Sequence, residues 1–84
     1  MFRVGSLVKV DDRYAAAIVF YDRSKEDLHI PADMTPAIGH MSRGQKAIVL
    51  EVYVDPNGEW ADGVRILCPF GIGWINGDML REVR

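Results

Sequence analysis

The chain has 84 residues, 49% of them hydrophobic, with twelve acidic against ten basic side chains and a formal net charge of −2. A chain of that length holds one domain with a small core, and its composition is that of a globular chain and not of a disordered one. The acidic balance points away from a protein that works by neutralising phosphates, and the longest apolar run, YAAAIVFY at residues 14–21, falls far short of the roughly 20 residues that cross a bilayer.

The first residues, MFRVGSLVKV, contain no apolar stretch of the kind that opens a secretory signal, so none is expected. Cys68 is the single cysteine and has no intramolecular disulfide partner, which fits a reducing compartment. The expectation is a cytoplasmic protein without a membrane segment.

Along the chain, VGSLVKV (residues 4–10) reads as a turn at Gly5-Ser6 followed by a strand, because valines suit a pleated surface. In residues 14–22, YAAAIVFYD, three alanines favour helix, while Ile18, Val19, Phe20 and Tyr21 favour strand; the aromatic and β-branched cluster decides for strand. Pro31 and Pro36 interrupt LHIPADMTPAIGHMSRG (residues 28–44) and predict a long irregular loop, an insert over residues 22–44 of a single domain spanning 1–84. QKAIVLEVYVD (residues 45–55) alternates, and its uniformly apolar parity, Ile48, Leu50, Val52 and Val54, is expected to face the core. Pro56-Asn57-Gly58 signals a turn, and VRILCPF (residues 64–70) completes a hairpin that Pro69 ends. GIGWI forms a short strand, NGDM a tight turn in which Asn76 and Gly77 can take positive φ, and LREV a final strand. The expected core is Val8, Val10, Ile48, Leu50, Val52, Val64, Ile66, Ile75 and Leu80.

About five short strands are too few for a sandwich and bury their edges best in a small bent barrel. The order VGSLVKV, RGQKAIVLEV, GVRILCPFG and GWINGDMLREV resembles small SH3-like β-barrels, in particular the SH3-like proteins of tailed phages, cyanophages above all. More distantly it is similar to KOW-type domains of ribosomal and transcription proteins and to the barrel of nitrile hydratase β chains. The matching motifs cover residues 2–10 and 43–83 and leave residues 11–42 uncovered. The resemblance implies an all-β SH3-like barrel of about five strands, with a long irregular first loop and a 3₁₀ turn before the last strand. A phage origin would place the protein in the host cytoplasm or the virion. These motifs specify a fold and not an activity.

No constellation of side chains suggests catalysis. His29, His40 and Cys68 are spaced too widely for a standard zinc pair, so neither metal nor cofactor is expected. Cys68 lies in the apolar stretch ILCPF, where burial makes a thiol inert. The charged stretches DDR and SKED read as solvated turns, and GIGWING lacks the Lys and Ser/Thr of a phosphate loop.

Binding residues are therefore sought among exposed apolar and aromatic side chains. Ile30, Met34, Ile38 and Met41 make residues 28–41 unusually apolar for a loop, which either packs across the barrel mouth or docks on another chain. Trp60, in a polar loop, either anchors a partner or folds over the barrel end as a lid, while Trp74 is placed at the rim with Ile75 inside. The expected function is a non-catalytic adaptor that binds a protein partner or itself. The alternative is a KOW-like nucleic-acid binder, against which Lys9, Arg13, Arg43, Lys46, Arg65, Arg81 and Arg84 show no basic stripe in the sequence.

Overall fold

The computed structural model describes residues 2–23, 36–54 and 63–83. Seven strands follow one another there: β1 (Leu7–Val10), β2 (Ala16–Tyr21), β3 (Ala37–Ser42), β4 (Lys46–Tyr53), β5 (Gly63–Cys68), β6 (Gly71–Asn76) and β7 (Leu80–Glu82), with a 3₁₀ turn at Gly77–Met79 before β7. They form one antiparallel sheet in the order β3-β2-β6-β5-β4-β1-β7. The protein is all-β, but with seven strands in place of about five, and the ladders do not close on themselves among the described residues.

One strand that the sequence reading did not expect, β3, arises inside the expected irregular insert. Pro36 stands just before β3, and its carbonyl accepts the Tyr21 N–H at 2.8 Å, so it opens the strand instead of breaking it. From there β3 pairs with β2, Met41 opposite Ala17 and Gly39 opposite Val19. The strand reading of residues 16–21 holds despite the alanines. β2 is paired on both sides, by β3 and β6, and it buries Ala17 and Val19 with a period of two.

One face of the sheet is the core. Val8, Val10, Val64, Ile66, Ile75 and Leu80 lie in it as expected, joined by Ala17, Val19, Met41, Ala47, Val49 and Cys68. β4 departs from the expectation. Its buried residues are Ala47 and Val49, while Ile48 is exposed and Leu50 and Val52 are half-buried. The register explains the exchange: Val49 pairs with Ile66 and Glu51 with Arg65, so Leu50 is an extra residue, a β-bulge. Before the bulge the odd positions point inward; after it the even ones do, which is why Val52 still packs against the core.

Two turns position β6. Pro69 and Phe70 link Cys68 to Gly71, whose φ of 125° is open to glycine and strained for other residues. Gly73 faces Tyr21 where the backbones meet closely. A Cβ there would strike the Phe20 carbonyl oxygen and stand 2.8 Å from Val19 Cγ1. The 3₁₀ turn closes through a side chain. Asn76, at φ −69°, accepts the Asp78 N–H on Oδ1 at 2.9 Å, so the expected positive φ is replaced by a cap.

Candidate docking surface

A strand buried on one face presents its alternate residues outward, and neighbours in register line up across the sheet. Leu7 of β1 pairs with Ile48 of β4, Ile48 with Leu67 of β5, and Leu67 with Ile72 of β6. These four aliphatic residues form a continuous row over four adjacent strands, on the face opposite the core. Their exposures are 39%, 42%, 45% and 39% respectively. At the β7 end, the Val83 N–H donates to the Leu7 carbonyl at 2.9 Å and brings a further apolar residue alongside.

The row has two different borders. On one side Lys46, Lys9 and Arg81 stand directly opposite one another on β4, β1 and β7. Arg81 reaches the Asp12 carboxylate at 3.6 Å. No carboxylate among the described residues pairs with Lys9 or Lys46. An open groove of about 530 Å³ is lined by Lys9, Arg81, Glu82 and Val83. On the other side runs Glu51, Arg65 and Trp74. Arg65 grips Asp22 with both prongs of its guanidinium, Nε to Oδ1 at 2.8 Å and the terminal nitrogen to Oδ2 at 2.9 Å. The hydrogen bonds from Arg65 hold the Asp22 carboxyl below its ordinary value, against an opposing contribution from partial burial.

The residues proposed from sequence distribute differently. Met41 is 0% exposed and belongs to the core of β3, so it offers nothing to a partner. Trp74 is 2% exposed, not at the rim; its indole N–H donates to the Arg23 carbonyl at 2.8 Å, which satisfies the one polar atom that burial would strand. Ile38 is half-buried and packs against the core. Ile30, Met34 and Trp60 lie outside the described residues, as do His29 and the Pro56-Asn57-Gly58 turn. His40 is exposed on β3, and Cys68 is buried with its Sγ donating to the Gly71 carbonyl at 3.1 Å. Among the described residues no three groups of the metal-ligating kinds converge. No helix there is long and apolar enough to cross a membrane.

Two features escaped the sequence reading, the apolar row and the cation row. Each strand contributes one or two residues, so the rows exist only once the register is known. The misassigned parity of β4 hid Ile48, the residue that joins Leu7 to Leu67. Compared with family models, with curated proteins and with solved structures, the chain matches none. The likeness to phage-type proteins therefore rests on its sequence motifs alone.

Proposed function

We propose that the protein is a non-catalytic binding module, built on an SH3-like fold, that holds a protein partner against its outward aliphatic row. The SH3-like reading is supported by the run β7-β1-β4-β5-β6, by the 3₁₀ turn between β6 and β7, and by a β2–β3 hairpin in the place of a long first loop. The single observation that carries the binding function is the row itself. Exposed aliphatic residues scattered singly are ordinary, but four in register on one face form one contiguous apolar patch, and the largest such patch on a monomer is often functional. The KOW-like alternative draws on the aligned Lys46, Lys9 and Arg81. The side chains beside them are aliphatic, however, and unpaired bases are held chiefly by stacking on aromatic rings.

The test is affinity capture from the native cell with the wild type, with an Ile48→Asp, Leu67→Asp variant, and with Val4→Asp as a control. Val4 is 69% exposed and stands outside the row. Proteins retained by the wild type and the control but lost from the row variant bear the reading out. Equal retention by a folded row variant refutes it.

A further inference from the structure

The unequal borders of the apolar row specify what can lie on it. The charges of the Glu51–Arg65 border are engaged within the molecule: Arg65 is bonded to Asp22, and Glu51 has an interaction of its own. The Lys46–Lys9–Arg81 border is the reverse. Like charges directly opposite one another across an antiparallel pair cost stability, and among the described residues Arg81 alone of the three is ion-paired, to Asp12. Lys9 also lines the groove with Arg81, Glu82 and Val83. Glu82 stands opposite Val8, one register step from the Lys9–Arg81 pair, so an incoming anion approaches from solvent over the two cations while its apolar neighbours reach Leu7 and Val83.

We infer that the occupant is a segment of a partner protein whose apolar side chains are bordered on one side by carboxylates, which settle over Lys9, Lys46 and Arg81. This rests on the docking reading above and adds the chemistry of the partner. A second copy of the chain fits less well. Stable association of folded proteins buries about 800 Å² on each side, more than a row of four half-exposed side chains offers. A two-fold pairing of this face would also set Lys9 and Lys46 either against their own copies or against the other border, where Glu51 already has a contact.

The probes are three synthetic peptides that share the same leucines and isoleucines and carry Glu, Gln or Lys along one side, together with a short single-stranded oligonucleotide. Each is titrated into isotope-labelled protein and followed by amide chemical shifts. The Glu peptide is expected to move the amides of Leu7, Lys9, Lys46, Ile48, Leu67 and Arg81, and to bind about tenfold more tightly than the Gln peptide. Raising the salt removes that advantage, because exposed charges are screened. A Lys9→Glu, Lys46→Glu variant is expected to prefer the Lys peptide; should it not fold, Lys9→Gln, Lys46→Gln is expected to bind the Glu and Gln peptides alike. Equal binding of those two peptides by the wild type overturns the charge assignment and leaves the docking row standing. Shifts confined to residues away from the row, or no binding at millimolar peptide, overturn it as well, and the row variant in the capture experiment then decides the docking reading separately. Tighter binding of the oligonucleotide than of the Glu peptide overturns it in favour of nucleic acid.

Discussion

Asp22 and Arg65 tie the end of β2 to β5 across β6, and their bond makes stability depend on pH in a definite direction. The folded protein holds the Asp22 carboxyl below its ordinary 3.8. The carboxylate therefore stabilises the fold fully above the unfolded value, and that contribution is lost as the pH falls through the lower folded value. Both side chains are about a third exposed, so solvent reduces the effect. Urea titrations at pH 7 and at successive steps below pH 4 are expected to show a steeper acid loss for the wild type than for Asp22→Asn, with Asp11, also lowered, present in both. Parallel curves would assign the acid sensitivity elsewhere. Met41 offers a test by size. As a fully buried side chain it is expected to cost about 2–5 kcal/mol when cut to alanine, measured as a change in denaturation midpoint at constant slope. A cost below 1 kcal/mol, which surface positions typically show, would contradict its burial.

At the scale of the element, β4 decides which residues are core and which are surface. The bulge at Leu50 reverses its parity, and ahead of it Ile48 and Val49 alternate, one outward and one inward. Val49→Asp buries an unpaired charge and is expected to abolish folding, whereas Ile48→Asp is expected to leave the circular dichroism spectrum and the melting midpoint close to the wild type. The reverse outcome would restore the simple alternation. The sequence showed β4 as a strand, because apolar and β-branched residues fill it, but a bulge leaves no local mark when both parities are apolar. Leu50 fits either face as well as Val49 does. β3 was hidden for a related reason: Ala37, Gly39 and His40 carry little strand signal, and the strand exists because β2 offers it a partner. The breaks at Pro69–Gly71 and after Asn76 were readable, but the conformation at Asn76 was not, because its side chain suits a cap as well as a positive φ. The docking row was not, because register is a property of pairs of strands.

For the whole molecule, the order of the sheet matters more than its strand count. β1 lies between β4 and β7, so the first strand of the chain is completed by the last. Val8 faces Glu82 and Val10 faces Leu80, which sets the two strands antiparallel. That arrangement decides how the protein bears a mechanical load. Traction applied at Arg3 and Val83 draws β1 and β7 apart from the same end, and their hydrogen bonds open one after another like a zip. Traction applied at Arg3 and Asp78 slides the strands along each other, and the same bonds must yield together. Optical-tweezer measurements on the two attachment pairs are expected to give a markedly lower unfolding force for the first, and equal forces would contradict the pairing. A domain of this kind peels open under tension along its chain while resisting tension along its strands.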